Sequence, residues 1–366
     1  MNRKLFLCNT VYQVFVAMWM KRSHFPDSKA DIIISDHMNN GEGICDKLSK
    51  YGQFENCYFV NSFNYSRKLQ ALDASQNRQA RLFPNQLLKN FVKLNHRYTS
   101  IYVANVDLFS QLLYNAVTSK NRTCKLYIFE DGLATYSKLF ERKYSSTKLA
   151  DLDWMHSIIR TIFNEKGIQG NVEGLYLFNP QNIMWDAPFP VIELGKINCK
   201  DEAFVRMCNL VFSYSEEDSY DRKYIFMEES FAAEGTPIND IELLEQLAQR
   251  VGKENIMVKI HPRNPINRFA EKGFLTNSNT GIPWEVILLN LGNVSDKVFI
   301  TVGSSSVLNP ILIYGMEIQA YSVYNLINKE SCKSSLLSGE FWETVYAVIN
   351  RYPNMIHLCN SIDEIS

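Results

Sequence analysis

The sequence predicts an α/β protein of two doubly wound, Rossmann-like domains facing across a cleft, and three observations predict it. Short apolar runs recur along the chain, each stopping at a polar or glycine-containing cluster, as buried parallel strands do. Capped or amphipathic helical stretches lie between these runs and give two consecutive βα series. Gly170 to Lys200, with Pro180, Pro188 and Pro190 and little periodicity, separates the two series as a connection would. The expected domains are 1–180 and 200–345, followed by a tail over 346–366.

A chain of 366 residues, 46% hydrophobic and 13% aromatic, can bury cores of that size. Its formal net charge of −1 gives no basic excess, so no nucleic-acid partner is expected. Eight cysteines (Cys8, Cys45, Cys57, Cys124, Cys199, Cys208, Cys332 and Cys359) are scattered, with no C-x-x-C and no metal-like pairing with histidine. That usage suits reduced thiols in the cytoplasm.

In chain order, Lys4 to Cys8 reads as the first strand and Val11 to Met20 as a helix, with Asn9 and Thr10 as its caps. Asn9, Thr10, Tyr12 and Gln13 interrupt the apolar start, and Lys21-Arg22 come too early for a membrane span, which argues against a signal peptide. Asp31 to Ser35, Cys57 to Val60, Ser100 to Asn105 and Leu126 to Phe129 are further strands, and Asp107 to Val117 is a helix. Gln70 to Arg97 reads as helical around Pro84. Its Arg78, Arg81, Lys89, Lys93 and Arg97 form either a solvated face or a peripheral contact with an anionic inner-membrane surface. Asp151-Leu152-Asp153 matches the D-x-D pattern of metal-bound nucleotides but opens an apparent helix, so capping is the expected role.

In the second series Tyr224 to Met227 is a strand leading to Glu228-Glu229-Ser230 and Glu234-Gly235. Asn239 or Asp240 caps the amphipathic helix that follows. Ile256 to Ile260 is a strand closed by His261-Pro262, because proline cannot continue a central strand. A helix around Trp284 to Leu291 comes next, then a strand from Val298 to Val302, and an apolar helix-like run from Val307. Ile318 to Val323 and Phe341 to Ile349 supply a last strand and helix.

Candidate site residues stand where strands end, because ligands in open α/β sheets bind beyond the carboxyl ends. Gly303 with Ser304, Ser305 and Ser306 offers hydroxyls and backbone N–H groups to an anion. His261, preceded by Lys259 and followed by Pro262, can hydrogen-bond the same phosphate and steady its charge as it leaves. Glu285 in the IPWEV segment is either a ribose ligand or a first-turn helix acid. Glu130-Asp131-Gly132 is either a turn or a source of the base for an acceptor hydroxyl. These features suggest the donor-nucleotide pocket of a glycosyltransferase.

The Asn9 to Gln13 segment, Glu130-Asp131-Gly132 with Tyr136, His261-Pro262 and Ser304-Ser305-Ser306 together resemble the bacterial two-domain sialyltransferases of GT-B type. The likeness is in particular to the lipooligosaccharide sialyltransferase family, glycosyltransferase family 52, which also includes some glucosyltransferases. The resemblance implies an N-terminal acceptor-side domain and a C-terminal nucleotide-sugar domain. It implies inverting transfer of sialic acid from CMP-sialic acid to a galactoside hydroxyl of lipooligosaccharide or capsular type, with no metal and no cofactor. By the same resemblance His261 and the three serines bind the CMP phosphate, and Asn9, Thr10 and Gln13 lie near donor or acceptor. The base is Glu130 by analogy with related families, or an acid ahead of His261 (Glu234 or Asp240) by analogy with family 52; Asp131 is the neighbouring candidate. A homodimer is compatible with this picture. Other readings are a glucosyltransferase of the same family, a CDP-polyol phosphotransferase, and a non-catalytic nucleotide-binding protein of polysaccharide assembly. The polyol reading is disfavoured because Thr301-Val302-Gly303 stands where that group has an aspartate ahead of its serines.

Overall fold

Arg3–Cys8 forms strand β1 and is buried at every position, as a strand covered on both faces must be. The computed structural model of the chain describes residues 2–51, 53–63, 88–141, 171–216, 218–236, 238–291, 294–328 and 339–366. The chain divides into two compact units, Met1–Leu194 and Gly195–Ser366. Asp151-Leu152-Asp153 and the greater part of the basic stretch after Gln70 lie outside the described residues.

In the first unit β2 (Lys29–Ser35), β3 (Asn56–Val60), β4 (Ser100–Val103), β5 (Lys125–Phe129), β6 (Val172–Leu177) and β7 (Val191–Glu193) join β1. All pair in parallel, in the order β3-β2-β1-β4-β5-β6-β7. Helices α1 (Val11–Ser23), α2 (Gly41–Tyr51) and α3 (Leu108–Thr118) provide crossovers. The order reverses between β1 and β4, which opens a crevice at their carboxyl ends.

The stretch 170–200 is not a bare connection, because it supplies β6 and β7. Pro180 opens a short 3-10 turn, while Pro188 and Pro190 precede β7, an edge strand, so none of the three interrupts a central ladder. Nor does the helix expected to reach Arg97 do so. Val92 and Leu94 are buried while Lys93 and Asn95 are exposed, and that two-residue alternation belongs to extended chain.

At the amino ends of these strands Asp31, fully buried, accepts Arg3 Nη1 at 2.7 Å, Tyr98 Oη at 2.7 Å and Asn56 Nδ2 at 2.9 Å. Arg3 also pairs with Glu55. Removing one member of such a group leaves an uncompensated buried charge. Asp31→Ala is therefore expected to destabilise the protein by about 3–5 kcal/mol in denaturant unfolding. A loss below about 1 kcal/mol would mean that the network contributes little.

In the second unit β8 (Tyr224–Met227), β9 (Ile256–Lys259), β10 (Leu275–Thr276), β11 (Val298–Thr301), β12 (Gln319–Ser322) and β13 (Ile356–Leu358) form a parallel sheet ordered β10-β9-β8-β11-β12-β13. Its longer described helices are α4 (Glu202–Phe212), α5 (Asp240–Val251), α6 (Trp284–Leu291) and α7 (Gly339–Ile349). The expected tail over 346–366 is part of this unit. It completes α7, adds the edge strand β13 and buries Cys359, Ile362 and Ile365 in the core. The run from Val307 is not a regular helix. A 3-10 turn over Ser305–Leu308 passes into a π-helical turn over Pro310–Tyr314, because Pro310 has no N–H to continue an α ladder. Among the described residues no helix is long and apolar enough to cross a membrane.

Candidate functional site

The second unit brings its strand-end residues to one level. Met227 pairs in register with Lys259 on one side and Thr301 on the other. Two residues further along, Glu229, His261 and Gly303 therefore leave three neighbouring strands side by side. With parallel strands about 4.8 Å apart, the His261 and Gly303 backbones flank Glu229 at roughly 10 Å from each other. The order of strands reverses between β8 and β11, so this is the second unit's own crevice.

His261 is fixed by its backbone and its ring. Its N–H donates to Glu228 Oε2 at 2.9 Å, its carbonyl accepts Asn264 N–H at 2.9 Å, and its Nδ1 accepts Arg263 N–H at 3.2 Å. Burial, then the charges of Arg263 and Lys259, push the imidazole down to about 4. The ring is thus neutral at physiological pH, and with Nδ1 accepting, its single proton sits on Nε2. His261 is a neutral donor held in one tautomer.

The serine loop is organised from within. Ser304 N–H donates to Thr301 Oγ1 at 2.8 Å and Ser306 N–H to Ser304 Oγ at 3.3 Å. The Ser306 carbonyl accepts Trp284 Nε1 at 3.0 Å, which ties the loop to α6. Gly303 lies under Trp342, whose ring stacks on Tyr324, and a Cβ at Gly303 would come within 3.3 Å of that indole.

The other predicted residues take different places. Glu285 is buried in the first turn of α6, where its Oε1 accepts Asn309 Nδ2 at 2.5 Å, joining that helix to the segment after the serines. Lys259 ends β9 and is 8% exposed. Pro262 turns the chain away from the sheet immediately after His261. Asp240, 2% exposed, accepts Arg268 Nη2 at 2.8 Å and Nη1 at 3.2 Å, so both its oxygens are engaged. Asn239 does not cap α5 through its side chain. Its amide donates to the Leu326 carbonyl and its Oδ1 accepts Asn328 N–H. Glu234 accepts the Ser230 hydroxyl at 2.7 Å and faces Arg263 at 3.9 Å.

In the first unit the Asn9 to Gln13 segment and Glu130-Asp131-Gly132 come together beside the β1/β4 reversal. Thr10 caps α1 by accepting Gln13 N–H, whereas Asn9 turns inward to donate to Asp107 at 2.9 Å and accept the Ser35 hydroxyl at 2.8 Å. Gln13 accepts Asn9 N–H with Oε1 and donates with Nε2 to Asp131 Oδ1 at 2.7 Å. Asn105 Nδ2 donates to the other Asp131 oxygen at 2.9 Å. Glu130 is 2% exposed; Oε1 accepts Tyr12 Oη at 2.7 Å, and Oε2 accepts Phe178 N–H at 2.9 Å and the Tyr136 hydroxyl. Burial, reinforced by the Glu130 charge, pushes the Tyr136 phenol well above its usual range, so it stays a donor. Gly132 turns with φ +69°, a conformation that glycine adopts without strain.

Sequence reasoning singled out neither Glu229, which accepts Gly303 N–H, nor Asn105, Asp107 and Thr301 as working residues. Two acids directly after a buried strand, the pattern of Glu130-Asp131, were the available signal for Glu229. Among the described residues no three His, Cys, Asp or Glu side chains lie together as a metal-ligand set.

The chain resembles solved structures at low identity. It matches TcCGT1 in complex with UDP at 11% identity and TM-score 0.50, covering all of this chain and 88% of that one. It also matches Phytolacca americana UGT2, complexed with UDP-2-fluoro-glucose and pterostilbene, at 11% identity and TM-score 0.47, covering all of this chain and 88% of that one. The first likeness bears on fold alone, which is GT-B and agrees with the two parallel Rossmann-like sheets; the second is too distant to add to it. No curated protein matches the sequence. The profile of the alpha-2,8-polysialyltransferase (POLYST) family, however, matches residues 4–324. With that match running from β1 to the end of β12 and beyond, this sialyltransferase-like glycosyltransferase belongs to the alpha-2,8-polysialyltransferase family.

Proposed function

We propose that the chain transfers sialic acid, with inversion and without a metal, from CMP-sialic acid to a hydroxyl of a glycan acceptor. The observation that carries this reading is His261: a neutral imidazole, locked with Nε2–H as donor, two residues past β9 and level with Gly303. Ser305 and Ser306, with that Nε2–H, provide donors for a phosphate. As the bond from the anomeric carbon to the phosphate oxygen breaks, its electron pair goes to CMP, and fixed donors stabilise the charge that develops there. Neutral donors suit a leaving group that must also depart.

The acceptor hydroxyl attacks the opposite face and gives its proton to a carboxylate. We assign that role to Glu130. Its Oε1 already takes a hydroxyl, that of half-buried Tyr12, and an acceptor O–H can replace it like for like. Asp131, more open and held by two amides, is then an orienting neighbour. The family name points to the 8-hydroxyl of a terminal sialic acid as acceptor, ahead of the galactoside that the family 52 resemblance suggests. Family 52 kinship, a bacterial source, a cytoplasmic location and peripheral membrane contact belong to the same proposal.

The test is incubation of the purified chain with CMP-sialic acid in EDTA, offered either lactose or an oligosialic acid. Chain extension of the sialylated acceptor, with the linkage inverted by NMR, is the expected result. Transfer only from a UDP-sugar, or activity abolished by EDTA, would overturn the proposal.

A further inference from the structure

Glu229 plays no part in the mechanism above, yet it stands between the two features that the mechanism uses. Its Oε1 accepts Gly303 N–H at 3.0 Å and the Thr301 hydroxyl at 3.4 Å. The same Thr301 oxygen accepts Ser304 N–H, and Ser304 Oγ accepts Ser306 N–H. On the other side the Glu229 carbonyl accepts Asn264 Nδ2 at 2.8 Å, next to the His261 turn. One chain of bonds therefore runs from the turn after His261 through Glu229 to Ser306.

We propose that Glu229 is a positioning residue of the phosphate site: it holds the Gly303–Ser306 loop, takes up one proton when a phosphate-bearing nucleotide binds, and returns it to solvent when the nucleotide leaves. This rests on the phosphate reading given under Proposed function. The geometry permits it because both bonds converge on Oε1, so Oε2 can carry a proton without breaking either.

The charges around Glu229 favour that uptake. Its own loop contributes Glu228, bound by Arg268, and Glu234, which faces Arg263. The β9 side contributes Lys259, His261 and Arg263, with Lys259 facing the Glu285 charge; His261 is neutral. Arg268 is shared further with Asp240. From β11 and α7 come Thr301, Gly303 and Trp342, none of which is charged at neutral pH. Arg268 and Arg263 are thus paired with other carboxylates, and although the Arg263 charge still favours the ionised form of Glu229, the Glu234 charge opposes it; among the described residues no cation forms an ion pair with Glu229. A phosphate at the serines adds a second negative charge beside it, and two like charges in a desolvated site drive the weaker acid to protonate. Burial already pushes the Glu229 carboxyl up to about 7, against the pull of the Gly303 N–H and the Thr301 hydroxyl.

The experiment is to measure the CMP dissociation constants of the full chain and of Glu229→Gln from pH 6 to 8.5. Dividing one by the other cancels the ionisation of CMP, which both proteins meet alike. The ratio is expected near unity at pH 6. Above neutrality the wild type should weaken relative to the variant by up to about tenfold per pH unit, the slope of one coupled proton. A purely structural role would shift the ratio equally at every pH, so a flat ratio overturns the proposal. Should Glu229→Gln fail to fold, wild-type calorimetry at pH 8 in buffers of different ionisation heat replaces it. Uptake of about one proton per CMP then supports the proposal and none overturns it. If neither protein binds CMP at any pH, the phosphate reading falls and this inference with it. Binding with a flat ratio sinks this inference alone.

Discussion

His261→Ala is expected to lower kcat for transfer from CMP-sialic acid by about 10²–10³, the effect of removing one fixed donor from a developing oxyanion. The neighbouring Arg263 is turned toward Ser230, whose hydroxyl accepts its Nη2 at 2.9 Å, and toward Glu234 at 3.9 Å. The loss should be the same at pH 6 and pH 8. With the ring held at about 4, below its unfolded value near 6.5, His261 stays neutral across that interval. The measurement is steady-state kinetics of the wild type and variant at both pH values. An effect that grows as pH falls would show that the imidazolium is the working form, and the tautomer argument would fail.

Glu130→Gln comes second, with an expected loss of about 10²–10⁴ in kcat as a general base is removed. The amide keeps the shape of the side chain and a carbonyl to accept the Tyr136 hydroxyl and Phe178 N–H, so folding should survive. Asp131→Asn should cost less, since its remaining carbonyl oxygen can still accept Gln13 Nε2 and its part is orientation. Parallel kinetics on the two variants decide the assignment. If Asp131→Asn proves the more damaging, the open carboxylate is the base and Glu130 is structural.

The sequence made the strands with local signals legible. Lys4 to Cys8, Asp31 to Ser35 and Ile256 to Ile260 are apolar runs that end at polar clusters, and each is a strand in the structure. His261-Pro262 and the serines could be placed at strand ends for the same reason. What local pattern could not carry was pairing. β10 and β13 are two and three residues long and exist because a neighbouring strand completes them. β6 contains Glu173 and Gly174, which blur an apolar run that its neighbours β5 and β7 nevertheless complete.

The same limit governs the acids. Glu130 and Asp131 are adjacent and look interchangeable in the sequence. Their difference comes from Tyr12, 118 residues away, and from Phe178, 48 residues away, which close over one carboxylate and leave the other more open. Asp240 looked available as a base until Arg268, 28 residues on, occupied both its oxygens. Glu229 was visible as an acid after a strand, but its bond to Gly303 spans 74 residues.

The most direct test of the central claim is calorimetric titration of the full chain with CMP, CDP and UDP in EDTA, repeated on His261→Ala. A sialyltransferase site built on His261 and the serine loop predicts metal-free preference for CMP that weakens at least tenfold in the variant, about 1.4 kcal/mol. Equal or tighter binding of UDP or CDP, or an unchanged CMP affinity in His261→Ala, would contradict it.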